Sequence, residues 1–298
     1  MEMTQVGTEQ TSSRTGLRQT MRRHPLVSYF VMAYGFSWIV WIPYILSIWH
    51  LMPANSFSIL AFPIGTFLGP AFAALLMTGL TEGDLGLGRL LHRFAIWRVG
   101  FKWYLFLLLG VPALSLLGIV VLPGALSSFV PPTWAFLVKY FEQFFVVFFL
   151  GGPLAEETGW RGFALPRMQL RYGPLRSTLL LALLWACWHL PHFLTPAQHG
   201  GPGTNFATFL KNFPVFCLLC AALAIIITWV FNHTRGSLFI AVLLHASVDA
   251  NLLPLLFPAP IITKTDLFLV IGFGLPALLI VLLTRGHLGY RREIQLSS

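Results

Sequence analysis

Three short stretches carry ionisable side chains whose spacing could do chemistry: Glu156-Glu157-Thr158-Gly159-Trp160-Arg161, Trp185-Ala186-Cys187-Trp188-His189 and His245-Ala246-Ser247-Val248-Asp249. All three sit in or beside long apolar runs, where a charge is costly and usually faces a bundle interior or a wet cavity. Residues four apart share a helical face. Glu157 and Arg161 can therefore pair, His245 and Asp249 can present two polar groups to one cavity, and the Trp185 ring can wall one side of the His189 imidazole. Glu156 is turned by about 100° from Glu157 and need not share its partner. A carboxylate and an imidazole facing the same space can bind and deprotonate a water, and groups across that space can stabilise the oxyanion of a tetrahedral intermediate. This points to amide hydrolysis within a membrane. Transport is the other chemistry that buried carboxylates and histidines serve.

The elements that must position these groups are apolar stretches long enough to cross a bilayer, which takes about 20 helical residues. Eight are expected, near Leu26–Ile48, Phe57–Leu80, Trp103–Leu122, Phe144–Leu165, Leu175–Phe193, Phe213–Phe231, Leu238–Phe257 and Leu267–Leu283. At about 1.5 Å per residue, Glu156, His189, His245 and Asp249 lie roughly 15–22 Å from the nearest arginines that end their spans. Four ionisable groups from three helices can thus meet in one layer. The fourth span is the least regular, since Pro153, Gly159, Gly162 and Pro166 can bend or end a helix.

Composition agrees with a membrane protein. Of the 298 residues, 56% are hydrophobic and only 10% charged, whereas soluble domains carry roughly a quarter charged residues. Disorder is excluded by the same figures, and three cysteines cannot form a secreted disulfide framework. The net charge of +9 would suit nucleic acid, but its distribution follows membrane topology instead. All of the 19 basic residues except Lys139, Lys211 and Lys264 fall in the tails and alternate loops that an even number of spans puts on one side. Both termini are accordingly expected in the cytoplasm, with no nucleic-acid partner. Residues 1–24 read as a flexible basic tail, 25–285 as one polytopic bundle, and 286–298 as a short cytoplasmic tail. Residues 81–99 mix Leu90, Leu91, Phe94 and Trp97 with arginines, the pattern of an amphipathic helix lying on the membrane surface. The fold class expected is an all-α integral membrane protein of about eight transmembrane helices with that interfacial helix.

Together the three polar stretches resemble the signature of the CPBP family, also called the Abi or CAAX-protease-related family of intramembrane proteases. Its boxes are Glu-Glu-x-x-x-Arg, Phe-x-x-x-His and His-x-x-x-Asn/Asp on successive helices, and here they read EETGWR at 156–161, WACWH at 185–189 and HASVD at 245–249. The resemblance covers about 140–255. It implies an endopeptidase acting on membrane-associated, prenylated CAAX-type or other polypeptides, in a multi-pass protein of a bacterial plasma membrane. It also implies Glu156 as the base that activates water with His189 as its partner, Glu157 and Arg161 as a supporting ion pair, and His245 and Asp249 as the oxyanion wall. Trp185 stands where Phe is usual, which alters the shape of the pocket, and Asp249 can donate a hydrogen bond only when protonated.

Members of the family are often named metalloproteases. Glu156, His189 and His245 are possible ligands for a divalent ion such as zinc, while the lack of the His-Glu-x-x-His helix of zinc proteases weighs against an obligatory ion and leaves the metal undecided. The rival functions are a secondary transporter or proton-coupled channel, which should show repeated halves, and a non-catalytic scaffold, which has no need of the whole polar set. His50, His192, His199 and His233 read as interfacial, and Cys217 and Cys220 as small buried residues of a span. Substrate and oligomeric state are not written in the sequence.

Overall fold

The computed structural model describes residues 16, 18–263 and 265–292. Those residues are helices and connections, with no strand among them. Seven helical segments are long and apolar enough to cross a membrane: α1 (Pro25–Ile48), α2 (Ser56–Ala95), α3 (Phe101–Val120), α4 (Trp134–Tyr172), α5 (Pro174–Leu194), α6 (Phe206–His233) and α7 (Leu238–Leu256). An eighth apolar helix, α8 (Leu267–Leu283), has 17 residues. At 1.5 Å per residue it is about 26 Å long, at the short end for a span. The expected all-α membrane architecture holds, and the count of eight is approximate. Residues 1–15, 17, 264 and 293–298 of the expected tails and outer loop lie outside the described residues, while 18–23 are helical rather than irregular.

Helix α6 is the spine of the bundle, packing on α5, α7 and α8, while α8 also packs on α3 and α1 on α2. One large apolar core runs through these contacts, built from side chains such as Trp41, Trp160, Phe163, Ile227, Phe231 and Phe273. Without a hydrophobic drive between helices in lipid, such packing and the polar contacts inside it hold the bundle together.

Prolines set the departures from regular helix. A proline has no N–H to give the carbonyl four residues back, and three π-helical turns absorb that loss: Phe67–Ala71 contains Pro70, Phe106–Gly110 precedes Pro112, and Trp160–Ala164 precedes Pro166. Single π turns of this kind often occur at functional sites. The fourth expected span, Phe144–Leu165, is not one rod. Helix α4 is interrupted at Gly151 and Gly152, where Gly151 is extended (φ −76°, ψ −158°), and restarts at Pro153 in the first helical turn. The expected amphipathic helix also begins differently. It continues directly from α2 across Gly83, whose φ of 68° and ψ of −158° bend the chain, and it ends at Ala95 rather than at residue 99.

Candidate functional site

The break in α4 explains how Glu156 reaches the interior. Gly151-Gly152-Pro153 ends one helix and starts another, so Glu156 lies in the first turn of the new helix, with its N–H donated to the Gly152 carbonyl at 2.8 Å. A side chain at Gly152 would collide with the Glu156 carboxyl, specifically with Oε1. A larger residue there would push the Glu156 carboxyl out of its present position. The carboxyl itself is almost wholly buried, and its other oxygen, Oε2, accepts from two indoles: Trp185 Nε1 at 2.5 Å and Trp160 Nε1 at 3.4 Å. Trp160 belongs to the π turn that follows, so the bulge before Pro166 carries one of the two donors.

Proline also orients His189. Helix α5 is α-helical to Trp188, and then Leu190–Leu194, with Pro191 inside it, tightens to a 3₁₀ turn. At this junction the His189 N–H bonds the Ala186 carbonyl at 3.2 Å, the tighter pattern, instead of continuing the α ladder to Trp185. The Trp185 carbonyl so released lies 2.9 Å from His189 Nδ1. A carbonyl can only accept, so Nδ1 carries the proton and donates it there. Nε2 is left as the nitrogen with a lone pair for the cavity.

His245 is oriented by a different partner. Its Nδ1 donates to Glu157 Oε1 at 2.9 Å, and the same oxygen accepts from Arg161 Nη1 at 2.8 Å. Glu157 and Arg161 have no solvent-exposed side-chain surface. A buried pair repays its desolvation only when the geometry is good and further hydrogen bonds are made, and here the imidazole supplies one. The guanidinium also lies over the Trp185 ring, Cζ 5.3 Å from its centroid. On the other side of His245, Nε2 faces Asp249 Oδ2 at 3.4 Å, one helical turn along α7.

Trp185 is the hub of the arrangement. Its indole N–H reaches Glu156, its carbonyl takes the His189 proton, and its ring lies edge-on to His245 with centroids 5.1 Å apart. Glu156, Trp185, His189, His245 and Asp249 all line one cavity of about 690 Å³, large enough for a drug-sized molecule or several peptide side chains. All four titrating residues expected to share a pocket from α4, α5 and α7 do so. Glu157 and Arg161 stand behind that wall. Among the described residues no group of three or more His, Cys, Asp or Glu side chains is arranged to hold a metal ion. Glu156, His189 and His245 surround the Trp185 indole and do not close into a three-ligand set.

Several contributors escaped the sequence reading. His192 is buried in the cavity wall, its ring 5.0 Å from that of His189 and 4.3 Å from that of Trp41. Its side chain is enclosed by the bundle rather than exposed at the end of the span. His199 also lines the cavity, with Nε2 3.7 Å from Asp266 Oδ1. Proximity to Pro191 was a local signal for His192, because a 3₁₀ turn puts residues three apart on one face. No signal in the sequence announced the His199–Asp266 pair or the Glu157–His245 bond, which join residues far apart in the chain.

Residues 139–251 match the family model described as type II CAAX prenyl endopeptidase, Rce1-like. This is the region of the three polar boxes, and the match bears out the resemblance read from them. A curated relative from Methanococcus maripaludis, named CAAX prenyl protease 2, is 29% identical over 174 residues. That match takes in 54% of this chain and spans 60% of the relative's length.

Proposed function

We propose that this chain is an intramembrane endopeptidase that hydrolyses membrane-associated polypeptides bearing a prenylated CAAX-type C-terminus, a reading supported by the match of residues 139–251 to the CAAX prenyl endopeptidase model. The observation that carries this reading is the shared cavity, in which Glu156, His189, His245 and Asp249 are held around Trp185.

In this reading the orientation of each group supports a task for it. Two indole donors occupy Glu156 Oε2, so Oε1 is the oxygen left to accept from a water. His189, with Nδ1 committed to the Trp185 carbonyl, offers Nε2 as a second acceptor for the same water. A water donating to both turns its oxygen lone pair towards a scissile carbonyl. As that oxygen attacks, its proton passes to Glu156 and the carbonyl oxygen becomes an oxyanion. His245 faces it from the α7 wall. As an imidazolium, the ring would donate from Nδ1 to Glu157 and from Nε2 to the oxyanion, while protonated Asp249 would add a second donor. Collapse of the intermediate breaks the C–N bond, and Glu156 returns its proton to the leaving amine.

The substrate class is tested with purified protein in lipid vesicles. The reading expects cleavage of a farnesylated CAAX peptide and much slower cleavage of the same peptide without its lipid. Failure to cut either form, by protein shown to be folded, would end the proposal.

A further inference from the structure

The two ends of the bundle differ in charge. At one end Arg22 Nε donates to the Leu80 carbonyl at 2.8 Å, Arg235 Nη2 to the Arg98 carbonyl at 2.8 Å, and Asn232 Nδ2 to the Leu288 carbonyl at 2.9 Å. These bonds gather the start of α1, the end of α2, the α6–α7 turn and the chain after α8. Arg167 pairs with Glu82, which brings the α4–α5 junction, with Arg171 and Arg176, to the same end. At the other end Trp49 Nε1 donates to the Leu194 carbonyl at 2.8 Å, the Val130 N–H donates to the Leu256 carbonyl at 2.8 Å, and His199 Nε2 lies 3.7 Å from Asp266 Oδ1. The connections tied together there, 49–55, 121–133, 195–205 and 257–266, contain no arginine in their sequence and no lysine except Lys264.

The catalytic cavity belongs to the second end. Ala197, Gln198 and His199 of the α5–α6 connection line it, as do Thr263 and Asp266 of the α7–α8 connection, and Ala197 and Thr263 are exposed. Among the described residues, no lining residue comes from the arginine-rich end. Depth along the helices agrees. His189 stands about 22 Å from the arginine-side end of α5 and about 10 Å from its other end. Asp249 is the last residue of the regular part of α7, about 16 Å from its arginine-side start. Towards the arginines the bundle is closed. The Phe163 and Phe231 rings lie under Arg167 and Arg93, and both are fully buried. So is the Glu157–Arg161 pair, and a close-packed interior of this kind leaves no path for a peptide. Membrane insertion keeps segments rich in Lys and Arg in the cytoplasm, which puts the open end of the cavity on the opposite side.

We propose that the catalytic cavity opens on the extracytoplasmic face, so that the polypeptide it cuts is presented from outside the cytoplasm, with its lipid in the outer leaflet. The side of opening rests on charge and geometry, and the polypeptide as occupant rests on the peptidase reading above.

Two measurements on the full-length protein in the plasma membrane of a bacterial host separate these parts. The first is labelling by a membrane-impermeant maleimide of Thr263→Cys, at the cavity mouth, and of Arg171→Cys, at the arginine-rich end. The native chain supplies the background from its own three cysteines. In intact spheroplasts Thr263→Cys should label and Arg171→Cys should not, and in sealed inside-out vesicles the pattern should reverse. Ala197→Cys reads the same mouth from the α5–α6 connection if Thr263→Cys folds poorly. The second measurement adds a farnesylated CAAX peptide to each preparation, joined at its N-terminus to a folded soluble carrier that cannot cross a bilayer. Host proteases are subtracted with the Glu156→Gln protein. The native protein should cut this substrate in spheroplasts and fail to cut it in sealed inside-out vesicles until detergent is added. Labelling of the mouth from the cytoplasmic side overturns the proposal, as does cleavage that is confined to inside-out vesicles or equal in both sealed preparations. Absence of cleavage even in detergent removes the peptidase reading instead, and the labelling then still decides which face the cavity opens to.

Discussion

At the residue scale, the Trp185 indole N–H makes the shortest contact that Glu156 has with the rest of the site. The family pattern puts Phe at this position, so the chain itself suggests the substitution that isolates the hydrogen bond. Trp185→Phe keeps an aromatic ring against His245 and Arg161 while it removes the donor and part of the ring. A hydrogen bond to a charged group contributes about 1.5–3 kcal/mol. The expected outcome is a fall in kcat of roughly ten- to a hundredfold with KM little changed. A proportionate rise in KM with kcat intact would instead make Trp185 a substrate contact. The three boxes were legible because each lies within five or six consecutive residues and helical spacing puts its members on definable faces. The Glu157–His245 bond was not, since it joins residues 88 apart and the local spacing had already given Glu157 a partner in Arg161.

At the element scale, Pro191 and the Gly151-Gly152 break place the two groups assigned to water activation. Pro191→Ala would let α5 continue as an α-helix, allowing the backbone ladder to reclaim the Trp185 carbonyl that His189 Nδ1 now bonds. The expected result is a loss of peptide cleavage with the unfolding midpoint held or raised, measured side by side on the purified variant. A variant that cleaves at the native rate would show that this turn does not set the orientation of His189. Hydropathy marked α1, α3, α5, α7 and α8 within two residues at either end, and fell short of the full length of α2, α4 and α6. It missed the interruption of α4 because Gly151 and Gly152 sit among strongly apolar neighbours, and a window average does not register two glycines. The same averaging hid the fusion of α2 with the amphipathic segment, where the single residue Gly83 makes the bend.

At the scale of the whole molecule, the buried Arg161–Glu157–His245 chain ties α4 to α7, and the Arg161 guanidinium over Trp185 adds α5. Removing one member of such a buried set strands the others without compensation, at a cost of about 3–5 kcal/mol. Arg161→Ala should therefore lower the unfolding free energy in detergent by that order, well beyond the effect of replacing an exposed arginine such as Arg171. A loss below about 1 kcal/mol, the value of a surface pair, would contradict a three-helix tie. The charge asymmetry between loops makes a separate whole-molecule expectation. Reporters fused to either end of the chain should both read cytoplasmic, and a split result would overturn the proposed topology. The bundle's class was legible from composition, because 56% hydrophobic and 10% charged residues leave few alternatives. Which helices touch was not, since lipid-facing and core-facing surfaces are equally apolar.

The central claim is that Glu156 is the base for peptide hydrolysis in the shared cavity. Its most direct measurement is single-turnover cleavage of a farnesylated CAAX peptide in proteoliposomes by the native protein and by Glu156→Gln. The amide keeps the size of the side chain and can still accept the Trp185 hydrogen bond through its carbonyl oxygen, but it cannot take a proton from water. The account predicts a rate lower by on the order of 10²–10⁴-fold, with the unfolding midpoint unchanged. A folded Glu156→Gln protein that cleaves at the native rate would contradict it.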